Sequence, residues 1–299
     1  MHLTVGIFGD QTLAERLGKK GTVNDIAIYN HGSSEGVFTF VCPNSEKIVP
    51  LLQALNMIDV PVLVVNSLTK EIGEMIVGIN EMNFEKGFII TGIGDSIQPL
   101  IKGTSLERFK IVDESGLRSE LLHFEINRPG DQLLVPIDNC FKVKSVGTIV
   151  LGIVRSGKVK QFDKLFVEPL GKEVTIKGIQ SQDRDIDEAE AGTRVGLNLK
   201  GVEADEIKRG YVVCNKIEKS SAVSIKFVKN KFYKQDVKTG STAMLSIGLQ
   251  VVACTIEQNN DELVLKTVNP VAYTKNQRCI IASTSEIMPR IIGSGLIAA

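Results

Sequence analysis

Phe141-Lys142-Val143-Lys144-Ser145-Val146-Gly147-Thr148, followed by Gly152 and Gly157, sets the architecture of this chain. After it come Pro169-Leu170-Gly171, then Ala191-Gly192-Thr193-Arg194-Val195-Gly196-Leu197, then Ile207-Lys208-Arg209-Gly210. Short apolar runs alternate with single glycines at close spacing throughout Val135 to Gly210. Such a pattern predicts many short strands that turn tightly, and so a small closed barrel. Glycine supplies the positive backbone angles that the corners need.

The same run resembles the second domain of the elongation factor Tu superfamily of translation GTPases, in particular the archaeal-type selenocysteine-specific factor. Phe141, Val143, Gly147, Thr148, Ile149, Gly152, Val154, Gly157, Val159 and Asp163 match the family's pattern in order, and Ser145 replaces its first glycine. Ala189 to Val202 matches a later family block, and Arg209-Gly210 its closing R-G. Pro289-Arg290-Ile291-Ile292-Gly293-Ser294-Gly295 is similar to the R-x-x-G-x-G of the family's third domain. The resemblance implies an α/β guanine-nucleotide-like domain with a parallel sheet over 1–125, then two β-barrels over 126–217 and 218–299. By the same resemblance, the selenocysteine factor's extra C-terminal domain is expected to be missing.

In the first segment the residues read as strand, helix, strand, with strands at Leu3–Phe8, Val37–Cys42, Val60–Val65, Gly87–Gly92 and Phe109–Val112. That alternation predicts a doubly wound sheet. Ile72, Met75, Ile76 and Ile79 share one face of a helix from Thr69 to Asn83, which is core packing. Ser45 is the expected N-cap of a helix from Glu46 to Met57. A family member would cradle phosphates in a G-x-x-x-x-G-K-[ST] loop after the first strand. Here Gly6 and Gly9 are followed by Asp10-Gln11-Thr12, with no G-K-[ST]. Gly18-Lys19-Lys20-Gly21-Thr22 reads as a helix C-terminus. The family's D-x-x-G is replaced by Cys42-Pro43-Asn44-Ser45, and its N-K-x-D by Thr91-Gly92-Ile93-Gly94-Asp95. Gly6, Gly9, Asp10, Thr91 and Asp95 are therefore expected to be vestiges. GTP and magnesium are not expected as cofactors, and no catalytic residue is assigned.

Whole-chain charge selects no partner, since 35 basic residues balance 35 acidic ones in 299. From Lys219 onward, however, ten basic residues face five acidic. Lys226, Lys229, Lys231 and Lys234 alternate there with Phe227, Phe232 and Tyr233, the residue types that phosphate backbones attract. The plain alternative is an edge strand guarded by lysines. The family resemblance adds Lys200 and Arg209, in the loop near which the family holds the acceptor end of transfer RNA. The charged run Gln182 to Glu188 reads as a solvated loop, and Asn259-Asn260-Asp261 as a hairpin turn.

Five scattered cysteines without Cys-x-x-Cys, and three histidines far apart, argue against disulfides and structural metal. No signal peptide or apolar run of about 20 residues is present, which predicts a cytoplasmic protein without a membrane or DNA role. The expected partner is transfer RNA or another RNA, or a ribosomal component. Two other readings stand beside this one: a GTPase that recruits Lys19 or Lys20 to an unusual phosphate loop, and a protein scaffold without RNA.

Overall fold

The computed structural model describes residues 1–128, 130–259 and 262–298. The hairpin turn expected at Asn259-Asn260-Asp261 falls on residues 260 and 261, outside the described residues, as does Pro129 of the turn cluster at 127–131. The first domain is a seven-stranded sheet in the order β2-β3-β4-β1-β5-β6-β7. Its strands are β1 (His2–Phe8), β2 (Lys19–Val23), β3 (Ile26–Gly32), β4 (Val37–Pro43), β5 (Val60–Val65), β6 (Phe88–Thr91) and β7 (Lys110–Ile111). Its helices are α1 (Gln11–Leu17), α2 (Ile48–Met57), α3 (Lys70–Met82), the single turn α4 (Gln98–Ile101) and α5 (Glu114–Leu122).

β1 lies between β4 and β5 and runs parallel to both. Every residue of β5 is buried, as a parallel strand covered on both faces requires. Leu13 and Leu17 of α1 and Leu117 and Leu121 of α5 pack one face; α2 and α3 pack the other. The helix expected over 69–83 is α3, with Thr69 capping its start and Asn83 its end.

Three expectations need correction. Residues 19–23 do not end a helix: they form β2, which pairs antiparallel with β3, and this hairpin precedes β4. Exposed side chains on β2 hide its strand character from a hydrophobicity reading. α2 starts at Ile48 rather than Glu46, because the Ser45 hydroxyl accepts from the Lys47 amide and closes a turn ahead of the helix. The last strand is only Lys110–Ile111.

The second domain contains β8 (Leu134–Val143), β9 (Gly147–Ile153), β10 (Lys158–Lys160), β11 (Lys164–Glu168), β12 (Lys172–Ser181), β13 (Arg184–Ile186), β14 (Glu188–Glu190), β15 (Arg194–Lys200) and β16 (Val212–Cys214). β11-β16-β8-β9-β15-β12 closes on itself through β11–β12 pairing, an antiparallel six-stranded barrel. Ser145, where the family pattern has glycine, takes φ 70° at the β8–β9 turn. The third domain contains β17 (Glu218–Lys229), β18 (Thr242–Ile247), β19 (Gln250–Asn259), β20 (Glu262–Tyr273), β21 (Arg278–Ser283) and β22 (Ile291–Ile297). They close in the order β17-β20-β19-β18-β21-β22. β17 has neighbours on both sides, so its lysines do not guard an edge. None of the described helices is long and apolar enough to cross a membrane.

Arginines from the barrels and from the segment ahead of them meet carboxylates of the first domain. Asp59 accepts from Arg155 at 3.0 Å and from Arg128 at 2.6 Å. Arg209 holds Asp25 at 2.7 Å. Arg290, just before β22, grips the buried Glu74 of α3 through its side chain and its backbone amide, and also donates to the Glu46 carbonyl. Around that pair, Leu249, Ile280, Ala282 and Ile291 of the second barrel join the apolar cluster of α2 and α3.

Removing one partner of a buried ion pair leaves the other charge stranded, at about 3–5 kcal/mol. Glu74→Ala is therefore expected to lower stability by about that amount in urea titration. Glu74→Met combined with Arg290→Met should recover most of the loss, since both charges then leave together.

Candidate functional site

An open sheet of this kind offers a crevice at the carboxyl ends of its strands, where the strand order reverses. Here the reversal is at β1, and a cleft of about 340 Å³ lies beyond β1 and β4. Its walls include Gly9, Asp10, Cys42, Glu71, Glu74 and Arg290. Only Gly9 and Asp10 join β1 to α1. Gly9 has φ +99°, and a Cβ there would stand 2.1 Å from the Val64 carbonyl oxygen. Asp10 caps α1: its carboxylate accepts from the Thr12 amide at 2.9 Å and the Thr12 hydroxyl at 2.7 Å. A carboxylate thus occupies the helix end that would attract a phosphate. Glu71 is held below the usual carboxylate range, first by its own backbone N–H and then by Thr69.

Gly6 sits within β1, where a Cβ would meet Ile58 and Phe8 at 2.6 Å; its role is packing. Thr91 accepts from the Ile93 amide at 3.1 Å, and Asp95 is an exposed residue of a short 3-10 turn. Lys19 and Lys20 are far from this cleft. β2 is the third strand out from β1, about 14 Å across the sheet at ordinary strand spacing. Lys20 lies in register with Tyr29, Phe40 and Val5, well before the end of β1. Neither lysine lines the cleft at the end of β1.

Both line a larger groove, about 960 Å³, between the first domain and the first barrel. His31 and Asn30 contribute from β3, Arg184 from the turn at Gln182-Asp183, and Arg194 from β15. Gln182 and Asp183 take φ 51° and 59°, the tight turn of a hairpin between β12 and β13. The run 182–188 is largely exposed, as expected, but it forms a hairpin turn and strand, and Gln182, Asp183 and Arg184 line the groove. Lys19, Lys20 and Arg184 have exposed side chains, and no ion pair involves them among the described residues. Burial works against the charge of Arg194, but the Asp138 carboxylate at 2.9 Å outweighs it and holds the guanidinium above its ordinary value. The Asn30 amide oxygen is buried and has no hydrogen-bond partner among the described residues.

The residues singled out for RNA fall in two groups, Lys226 to Lys234 on the second barrel and Lys200 and Arg209 on the first. Arg209 is engaged with Asp25, Gln53 and the Asp138 carbonyl. Lys231 donates to the Gly103 carbonyl at 2.7 Å and lies 4.9 Å from the Phe232 ring centre. Lys234 donates to the Lys231 carbonyl, and Lys229 stacks toward Tyr233 at 5.9 Å. Lys226 is exposed on β17 and Lys200 is exposed at the end of β15, on the other barrel.

The model of the family Elongation factor Tu domain 2 matches residues 147–214. A selenocysteine-specific elongation factor of Methanocaldococcus jannaschii is 30% identical over 71% of this chain and 52% of its own length. The chain belongs to the elongation factor Tu superfamily. An uncharacterized protein of the same organism is 34% identical over 98% of both chains. The crystal structure of translation elongation factor SelB from Methanococcus maripaludis, in its apo form, superposes with a TM-score of 0.83 at 20% identity, covering 100% of this chain and 80% of that one. The fold is that of a translation elongation factor, with a parallel-sheet domain followed by two antiparallel barrels. The chain spans about half the length of the curated selenocysteine-specific factor.

Cys42, at the cleft wall, has its thiol pushed up to about 12 by burial. Burial does the same for Cys214 and Cys279, to about 12, and for Cys254, to about 11. All four should stay protonated at pH 8 and resist a disulfide reagent until the chain unfolds. Half-buried Cys140 should be the first thiol to react, as read by labelling and peptide mass.

Proposed function

We propose that this protein is a translation-factor relative that holds RNA without hydrolysing GTP. The observation that carries the reading is the two-residue turn Gly9-Asp10. The turn carries no lysine and too few amides to wrap a triphosphate, and its Asp10 carboxylate caps the end of α1; Lys47 lines the wall of the cleft but lies outside the turn. In such a site a phosphate would meet repulsion instead of a charge-assisted hydrogen bond.

The groove between the first domain and the first barrel is the better candidate for the RNA. It is open, it presents Lys19, Lys20 and Arg184 as cations, and the exposed amide of Gln182 can address base edges. An RNA end, rather than a duplex, suits a trough with walls on both sides, because unstacked bases expose their edges. Transfer RNA is the partner favoured by the family, in the cytoplasm and beside the ribosome. Lys226 and Lys229 on the second barrel supply further contacts to the body of the same RNA.

Titration with a fluorescent GTP analogue and magnesium should show no micromolar site that Lys47→Ala, in the wall of the β1 cleft, weakens; such a site would overturn the GTP-free reading. RNA affinity measured across a salt series tests the other half. Lys19→Ala with Lys20→Ala should weaken binding at all sequences and flatten the salt slope by roughly one unit per lost phosphate contact. Lys231→Ala should do less, because its ammonium is already committed to Gly103.

A further inference from the structure

The far end of the first barrel carries a second concave surface of about 330 Å³, separate from the groove and the cleft. Arg194, in the groove, and Lys200, here, are opposite ends of β15, about 20 Å apart at the rise of an extended strand. Four lysines from three strands line it: Lys142 of β8, Lys172 and Lys177 of β12, and Lys200 of β15.

These lysines fall into two kinds. Lys142 pairs with Glu203 at 2.7 Å, and Lys172 pairs with Glu206. Glu203 and Glu206 also form a reciprocal capping box around the turn Ala204–Glu206. The wall formed by 200–206 is fixed further by Thr148, whose hydroxyl donates to the Val202 carbonyl at 2.8 Å. Gly201 has φ +109°, and a Cβ there would stand 2.9 Å from the Glu173 carbonyl, so the turn closes tightly on β12.

Lys177 and Lys200 have no such partner among the described residues, and both are exposed. The β12–β15 ladder shifts register between Ile176 and Gly178, a bulge at Lys177. A bulge re-aims the side chain it carries. Thr175 faces Lys200 across the ladder and Lys177 follows two residues on, so that both lysines line the same concavity. Two unneutralised ammonium groups therefore overhang one small, walled concavity.

We propose that this concavity binds a diphosphate group, with Lys177 and Lys200 each serving one phosphoryl unit. The Glu203 and Glu206 carboxylates on its rim select for a compact anion. A continuous nucleic-acid backbone would have to pass close to both carboxylates, whereas a diphosphate seats between the free lysines and stops. The group can come as free pyrophosphate or as part of a nucleoside diphosphate. The proposal does not depend on what the first domain binds.

Calorimetric titration of the full chain with inorganic pyrophosphate is the test. Saturable binding is expected below about 1 mM, lost by tenfold or more in Lys177→Ala/Lys200→Ala and retained in Lys47→Ala. Amine acetylation read by mass spectrometry should show Lys177 and Lys200 protected by pyrophosphate. GDP as a second titrant separates the sources: loss of GDP binding in the double variant assigns the nucleotide's diphosphate to this same site. Absence of pyrophosphate binding, or binding unchanged in the double variant with an unaltered melting curve, overturns the proposal. So does a short RNA that protects both lysines when pyrophosphate does not.

Discussion

The buried Glu74–Arg290 pair fixes how the second barrel stands against the first domain. Two charges leave water only when each finds the other with good geometry and its remaining hydrogen-bonding groups are satisfied. Arg290 meets that condition by also reaching the Glu46 carbonyl and Glu286. Asp59, with arginines from the linker and the first barrel, does the same at a second junction. Asp25 and Arg209 make a third, more exposed one. At these junctions the first domain supplies the carboxylates and the remainder of the chain the arginines, so opposite charges fix both orientation and register.

This arrangement also divides the surface chemically. The cleft at the end of β1 is walled by Asp10, Glu71 and Glu74, while the groove beside β2 presents Lys19, Lys20 and Arg184. Most charged groups of the fold's usual crevice are thus acidic, with Lys47 also on its wall, while Lys19, Lys20 and Arg184 lie outward, at the seam with the barrel. Arg290 illustrates the change: a cation that faces the crevice is neutralised by α3 and holds the second barrel in place.

Much of the fold is legible in the chain because it rests on local rules. Val60–Val65 announces a doubly covered strand, Thr69 and Asn83 mark both ends of a helix, and Gly147, Gly157, Gly171, Gly192, Gly201 and Gly210, all at positive φ, mark barrel corners. β2 is not legible, since Lys19-Lys20-Gly21-Thr22 carries no apolar alternation and becomes a strand only by pairing with β3. The absence of a phosphate loop can be read from spacing alone. The groove cannot, because Lys20 and Arg184 are far apart in sequence and meet only through docking of two domains. Arg209 and Lys231 look available for RNA for the same reason: sequence shows a charge but not the Asp25 carboxylate or Gly103 carbonyl that engages it.

The apolar cluster that α2 and α3 share with the second barrel bears on how the chain is made. Leu51, Leu52, Leu55 and Ile79 leave the ribosome long before Ile280, Ala282 and Ile291, which complete their surroundings. While the ribosome is still adding β18 to β21, the outer face of these helices stays uncovered, a state prone to misassociation. Arrival of β22 is therefore the moment at which these helices of the first domain gain the wall that Ile291 supplies.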